Sequence, residues 1–156
     1  MNKTIYAINL KYTFDPSHKG SPYTLNGENW FNHGDLMEIL DKACKGYEAT
    51  KDGNGKWNEC SDIAETMTSV KSSKATLASD LKGDNMVEIL DRYFAGTHST
   101  NWDFVTMINE ELIVYNMNEA EFREFTMTWA SINERQVIRY KSDSSKMIRW
   151  FEERVA

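Results

Sequence analysis

The chain has 156 residues, of which 40% are hydrophobic and 27% are charged, and its net charge at neutral pH is −6. These values are typical of one folded domain spanning residues 1–156, and they exclude wholesale disorder. The acidic balance argues against a protein that coats nucleic acid through charge alone. It leaves a nuclease open, because acidic metal ligands lower the net charge of an active site.

The two cysteines and the absence of targeting signals predict a compartment. Cys44 and Cys60 do not have the spacing of a metal site, so we expect two free thiols in a reducing environment. The sequence shows no signal-peptide pattern, no run of eighteen apolar residues and no lipidation signal. We therefore expect a soluble cytoplasmic protein that does not bind a membrane.

The first predicted elements are a strand, a loop and a helix. Residues 4–14 are rich in β-forming side chains and predict one strand, which a loop containing both prolines follows at 15–22. After a turn at Asn26-Gly27, a helix is predicted over 35–45, with His33 or Asp35 as its cap and Gly46 ending it. Its apolar stripe consists of Leu36, Ile39, Leu40 and Ala43. Glu38 lies almost opposite that stripe.

The middle of the chain predicts a hairpin and a second helix. Asp-Gly and Asn-Gly in succession within 51–56 are a strong hairpin signal. Residues 57–63 are then the returning strand, and 67–77 form the next strand. A break at 82–85 opens a helix that extends to about Phe94.

The last predicted elements are two strands, a helix, a short strand and a closing helix. The strands cover 102–108 and 111–116, with a tight turn at Asn109-Glu110. The helix over 117–130 has Asn118 and Glu121 at the spacing of a capping box. A short strand at 137–140 and a helix at 144–155 follow. The order predicts an α/β (α+β) fold, in which helices flank a mixed central sheet.

The segment 62–77 contains the main candidate catalytic residues. Ser69 and Lys71 project from the same face of the predicted strand, because side chains alternate along a strand. Asp62 precedes Lys71 by nine residues, a span of roughly 30 Å when fully extended. If the chain turns back within 64–67, Asp62 and Lys71 meet across a hairpin. A strand face of this composition is also typical of ordinary solvated surface.

The PD-(D/E)XK nucleases have an acidic residue on a helix and a second acidic residue at the end of a strand. A strand with the pattern acid-x-Lys follows, and then another helix. The chain resembles this superfamily over about residues 28–141, with Asp62 as the strand acid and Lys71 as the lysine. Ser69 stands where the family usually has Glu or Asp. The helix acid would be Glu38, or else Asp35 or Glu28. The resemblance implies a restriction-endonuclease-like core.

The resemblance further implies a Mg²⁺-dependent DNA endonuclease of restriction or repair type, acting as a homodimer on double-stranded DNA. Asp62, Glu38 and Glu65 would bind the metal, with Asp84 or Glu88 as other sources of the missing acid. Lys71 would orient or deprotonate the attacking water, and Ser69 would position a ligand or water.

DNA contacts are expected from the same strand and from a basic segment near residue 140. Ser72, Ser73 and Lys74 continue the strand and suit a phosphate backbone. The basic segment consists of Arg135, Arg139, Lys141, Lys146 and Arg149. It is equally typical of a solvated helix face with i, i+4 ion pairs.

The alternative function is a non-catalytic interaction protein, such as a phage- or plasmid-encoded inhibitor of a host defence system. Small size, acidic balance and aromatic residues expected to be exposed favour it.

Overall fold

Two β-sheets and four α-helices make up the described part of the chain. The computed structural model describes residues 1–25, 28–47, 62–72, 86–132 and 140–155. The strands are β1 (Asn2–Ala7), β2 (Tyr12–Phe14), β3 (Tyr23–Leu25), β4 (Glu28–Phe31), β5 (Thr68–Ser72), β6 (Asn101–Ile108) and β7 (Glu111–Asn118). The helices are α1 (His33–Cys44), α2 (Met86–Gly96), α3 (Glu119–Ile132) and α4 (Tyr140–Val155). The predicted class, an α+β fold with helices flanking a mixed sheet, is confirmed.

The larger sheet has the strand order β1-β7-β6-β5. β5 runs parallel to β6, and the other neighbours are antiparallel. A parallel pair needs a crossover connection, and α2 lies in the segment between β5 and β6. Both faces of this sheet are covered, since α1 contributes to the core on one face and α2, α3 and α4 contribute to the core on the other.

β6 carries apolar side chains on both of its faces, as a central strand covered on two sides should. Trp102 and Phe104 point into the core that α2, α3 and α4 build. Val105 points to the opposite face, where it joins Val70 of β5 and the apolar stripe of α1. This alternation fixes which β5 residues face α1 and which face α2.

Aromatic rings dominate the core beneath α3 and α4. Phe122 stacks on Trp102 with ring centroids 4.9 Å apart, and Phe151 stacks on Tyr115 at 4.7 Å. Phe151 also lies 5.0 Å from Phe104. Such pairs add about 0.5–1.5 kcal/mol to the stabilisation from burial. They hold α3 and α4 against the sheet.

The smaller sheet has the order β2-β3-β4 and shows that the single strand predicted over 4–14 was wrong. The chain leaves the larger sheet after Ala7 and enters the smaller one at Tyr12. Asn9 interrupts the apolar alternation between them, and the Ile8 N–H donates to the Glu110 carbonyl (3.0 Å). The pattern of β-forming residues therefore belongs to two strands in different sheets.

The helix starts agree with the sequence in part. Asn32, not His33 or Asp35, caps α1, because its Oδ1 accepts from the Asp35 N–H at 2.7 Å. The capping box before α3 is confirmed: Asn118 Oδ1 accepts from the Glu121 N–H at 2.8 Å, and Glu121 Oε1 accepts from the Asn118 N–H at 3.1 Å. The helix begins at Glu119, since β7 extends to Asn118.

Other predicted elements fall partly or wholly outside the described residues. β5 covers Thr68–Ser72 of the strand predicted over 67–77, and Met67 adopts a left-handed conformation (φ 51°) that ends the turn before it. The predicted strand at 137–140 is wrong at Tyr140, which begins α4. The predicted hairpin at 51–56 and most of the returning strand at 57–63 lie outside the described residues.

Within the described helices, none is long and apolar enough to cross a bilayer.

Phe151→Ala should lower the free energy of unfolding by about 3–5 kcal/mol, because it removes a fully buried ring from the aromatic core. Urea unfolding followed by circular dichroism measures this change. Val87→Ala on the exposed side of α2 is the control and should change it by less than about 0.5 kcal/mol. A loss below about 1 kcal/mol for Phe151→Ala would mean that this core does not hold α4.

Candidate functional site

A tight turn brings Asp62 back beside β5. Ile63 and Thr68 exchange two backbone hydrogen bonds, of 3.0 and 3.1 Å, across a single 3-10 turn at Ala64–Thr66. The chain therefore reverses within 64–67, as the sequence analysis required for Asp62 to approach the strand that carries Lys71.

The carboxylate of Asp62 binds the strand next to it. Its Oδ2 accepts from the Val70 N–H at 2.7 Å and lies 3.5 Å from the Ser69 hydroxyl. Asp62 is half-buried and Ser69 is 7% exposed. The first bond continues the pairing of Ile63 with Thr68, so Asp62 also closes the outer edge of β5. The same contact places a carboxylate and a hydroxyl together at that edge.

Lys71 is half-buried and lies on the same face of β5 as Ser69. That face is turned away from α1, because Val70 packs with the α1 stripe and the Ser72 hydroxyl lies 2.7 Å from His33 Nδ1. Ser69 and Lys71 therefore point to the side of the sheet that α2 covers.

Of the two other predicted metal ligands, Glu65 lies in the turn and Glu38 lies on α1. Glu65 Oε1 is 3.4 Å from Lys42 Nζ, so this side of α1 faces the turn. Glu38 is one helical turn before Lys42 and lies on that side as well. Glu38 is on the helix face away from the buried stripe, as predicted. Glu65 is thus paired with Lys42, and among the described residues the three acids do not form a metal-ligand group.

The predicted DNA contacts have mixed placements. Ser72 is 4% exposed and hydrogen-bonded to His33, which argues against a phosphate contact by this residue. Ser73, Lys74, Arg135 and Arg139 lie outside the described residues. Lys141 lies in the first turn of α4, and Lys146 and Arg149 are exposed further along that helix.

A second polar cluster, which the sequence analysis missed, lies under the end of α1. Asp41 and Asp103 are fully buried, and Lys45 Nζ donates to Asp103 Oδ2 and lies 3.6 Å from Asp41 Oδ1. Two buried carboxyl groups therefore share one ammonium group. Fully buried charges are rare unless they are paired in this way.

Burial and the neighbouring carboxylate favour the neutral form of Asp41. Burial, followed by the hydrogen bond and the charge of Asp103, raises the pKa of Asp41 to about 9. Among the described residues neither oxygen of Asp41 has a hydrogen-bond partner, so an ionised Asp41 would be a buried charge offset only by Lys45, 3.6 Å away. Burial lowers the pKa of Lys45, but the charges of Asp41 and Asp103 more than offset it and raise that pKa.

Side-chain hydrogen bonds continue the cluster across the sheet. Asn116 Nδ2 donates to Asp103 Oδ1 at 2.7 Å and to Asn101 Oδ1 at 2.8 Å. Thr68 Oγ1 donates to the same Asn101 oxygen at 2.7 Å. β5, β6 and β7 are thus linked to α1 by one network. Perturbed buried carboxyl groups beside a cavity are typical of functional sites.

Two signals in the sequence point to this cluster. Asp103 interrupts an otherwise apolar strand, which predicts a buried acid that needs a partner. Asp41 and Lys45 have i, i+4 spacing, and Asp41 adjoins the apolar stripe of its helix. The pairing of strands that brings them together has no local signal.

Comparison with known proteins adds no assignment. No protein-family model matches the chain, and no curated protein or solved structure is significantly similar to it. Within the described residues, no group of three His, Cys, Asp or Glu side chains is arranged to hold a metal ion.

Asp41→Asn should remove a pH dependence of stability. The pKa of Asp41 is raised from 3.8 to about 9 on folding, so the native state holds a proton that the unfolded state releases. The stability this proton provides is complete below about pH 4 and is lost as pH rises to about 9, at up to about 1.4 kcal/mol per pH unit. Asp41→Asn cannot ionise, so it should be more stable than wild type at pH 8.

Urea unfolding at pH 5, 7 and 9 measures how the free energy of unfolding changes with pH in wild type and in Asp41→Asn. Asp91→Asn, at an exposed position on α2, is the control and should retain the wild-type slope. Equal slopes for Asp41→Asn and wild type would show that the buried pair does not hold the proton.

Proposed function

We propose that this chain is a Mg²⁺-dependent endonuclease that hydrolyses phosphodiester bonds in double-stranded DNA, as restriction and repair nucleases do. The observation that carries the proposal is the contact between Asp62 and Ser69, on the strand face that also bears Lys71. A carboxylate and an amine at one strand edge are the groups that this chemistry needs.

The order of elements supports the proposal. α1 is followed by the turn that contains Asp62, then by β5, α2 and a β6 strand parallel to β5. α1 and α2 contribute to cores on opposite sheet faces. These described elements follow one another as the resemblance to PD-(D/E)XK nucleases over about residues 28–141 implies, whereas the predicted hairpin before Asp62 lies outside the described residues.

Mg²⁺ prefers oxygen ligands, but no three acidic side chains of the described residues are arranged to hold it. Asp62 would hold the ion, with Glu65 of the adjoining turn and Glu38 of α1 as the further acids that the resemblance implies. The Ser69 hydroxyl, beside Asp62, would position a bound water. When bound, Mg²⁺ supplies the positive charge that polarises the scissile phosphate.

The protein's own contribution is a positioned cation and a positioned water. Lys71 would orient or deprotonate the attacking water and offset the charge that builds up on the phosphate. Lys146 and Arg149 on α4 present exposed positive charge suited to phosphate contacts. A homodimer would bring two such sites to the two strands of a duplex.

A non-catalytic interaction protein is the second candidate, such as a phage- or plasmid-encoded inhibitor of a host defence system. It is favoured by Ser69 in the place of an acid and by the lack of a three-ligand metal group among the described residues. Exposed Phe14 and Trp30 on the smaller sheet suit a protein partner. In that case the acids near Asp62 would be dispensable.

Wild-type protein should nick supercoiled plasmid DNA with Mg²⁺ or Mn²⁺, and Lys71→Ala should reduce the rate by about 10²–10⁴-fold, the usual contribution of a positioned proton-transfer group. Gel electrophoresis of plasmids with and without base modification measures this. Lys19→Ala, in an exposed loop, is the matched control and should retain full activity. If no duplex is nicked under any of these conditions, the enzyme proposal is abandoned.

Ser69→Asp should make stability depend on Mg²⁺. A second carboxylate beside Asp62 is repulsive without metal, so the melting temperature should fall in EDTA. Mg²⁺ should restore it by a larger shift than in wild type, because the new carboxylate completes an oxygen ligand set. Adding Asp62→Asn, which keeps an acceptor for the Val70 N–H, should abolish the shift. A Mg²⁺ shift no larger than that of wild type would argue against a metal site at this turn.

A further inference from the structure

A cavity of about 540 Å³ opens beside the buried cluster, on the sheet face where α1 ends. β1 and β7 form part of its wall, the start of β5 and β6 another part, and the end of α1 with Tyr47 the rest. This volume lies within the range of small-molecule sites, about 300–1,000 Å³. The proposed cleavage site does not use this cavity, because Ser69 and Lys71 lie on the opposite sheet face.

The floor of the cavity presents a donor and an acceptor side by side. Asp103 holds the amide of Asn116 on one carboxylate oxygen and the ammonium of Lys45 on the other. Both amide protons of Asn116 are donated within the network, so its side-chain carbonyl remains as an acceptor. Lys45 has three protons, and Asp103 and Asp41 engage at most two of them. The Asp103 carboxylate therefore fixes an adjacent donor and acceptor.

The charge of the floor is close to zero. Asp103 is balanced by Lys45, and Asp41 holds a proton at neutral pH. A charged ligand would gain little here, whereas a neutral polar ligand would match both groups. Adjacent donors and acceptors on one edge are the pattern that nucleobases present.

Two aromatic rings complete the site. Tyr6 of β1 and Tyr47, which follows α1, both line the cavity, and Tyr47 is 37% exposed. Among the described residues, neither phenol hydroxyl forms a hydrogen bond within the protein. Aromatic side chains stack on nucleobases irrespective of base identity, and phenols add hydrogen bonds at the edge. The walls thus suit a flat ring, and the floor suits its polar edge.

We propose that this cavity binds a nucleobase, presented either as a free nucleoside or as a base extruded from DNA. Asn116 and Lys45 contact the polar edge of the base, and Tyr47 stacks on its face. Enzymes that recognise an extruded base read it by the same combination of edge hydrogen bonds and stacking. Binding of a nucleobase in this cavity does not depend on DNA cleavage by the site that contains Lys71.

Calorimetric titration of the full chain with adenosine, guanosine, cytidine and thymidine tests binding of the free nucleoside. A duplex containing 2-aminopurine tests extrusion, because the fluorescence of that base rises when it leaves the stack. Heat from nucleosides with an unchanged duplex signal would assign the cavity to free nucleosides. A fluorescence rise that nucleosides suppress would assign it to extruded bases.

Tyr47→Ala should weaken binding about 5- to 150-fold, which corresponds to the roughly 1–3 kcal/mol of one base–aromatic stack. Tyr47→Phe keeps the ring and should retain most of the affinity. Phe14→Ala removes an exposed ring from the smaller sheet, away from this cavity, and should have no effect. Lys71→Ala should bind nucleosides like wild type, which separates this proposal from the cleavage proposal.

Three results would overturn the proposal. The first is the absence of heat and of any fluorescence change at millimolar concentrations. The second is an equal loss of affinity in Tyr47→Ala and Phe14→Ala. The third is binding of ribose as tight as that of the nucleosides, which would show that the base is not what the cavity recognises.

Discussion

The buried carboxylate of Asp103 is the constraint on which the arrangement of α1 and the larger sheet depends. It lies in a central strand that is covered on both faces, where an unpaired charge would cost several kcal/mol. Lys45 from the end of α1 and Asn116 from β7 both donate hydrogen bonds to Asp103 and offset that cost. The helix can therefore occupy one position along the sheet without loss of these bonds. At the other end of the helix, the His33–Ser72 hydrogen bond of 2.7 Å is a second directional contact with the sheet.

The two candidate sites meet at one short segment. Thr68 donates its hydroxyl to Asn101 in the buried network, and its backbone pairs with Ile63 next to Asp62. Thr66, in the same turn, accepts from the Asn101 amide through its carbonyl at 2.9 Å. The position of Asp62 beside Ser69 is thus set by the network under α1 as well as by its own hydrogen bonds. A ligand held at Asn116 would be connected to the Asp62 turn through a continuous chain of hydrogen bonds.

Local patterns predicted most of the helices and the main strand pair, because amphipathic spacing, the Asn118 capping box and the Asn109-Glu110 turn are properties of adjacent residues. The reversal at 64–67 was also predicted, although only as a condition for Asp62 to meet β5. The division of residues 4–14 between two sheets was missed, since alternation reports strand character but not the partner strand. The small sheet is not predicted for a related reason: Asn26-Gly27 predicts a turn, but the flanking strands β3 and β4 are only three and four residues long. Asp41 and Asp103 are separated by 62 positions, so only the tertiary fold brings their carboxyl groups together.

The pairing of β1 with β7 has a consequence for how the chain reaches its native state. Thr4 lies opposite Val114, so the outermost strand of the larger sheet joins a partner more than a hundred positions away. Contacts of such long sequence separation slow folding, because a large loop must close before they form. On the ribosome, β1 emerges well before β7 and remains without its neighbour for several seconds at about 5–20 residues per second. Its sequence has Lys3 and two polar side chains among six positions, a composition that disfavours pairing of this strand with other chains before β7 is made.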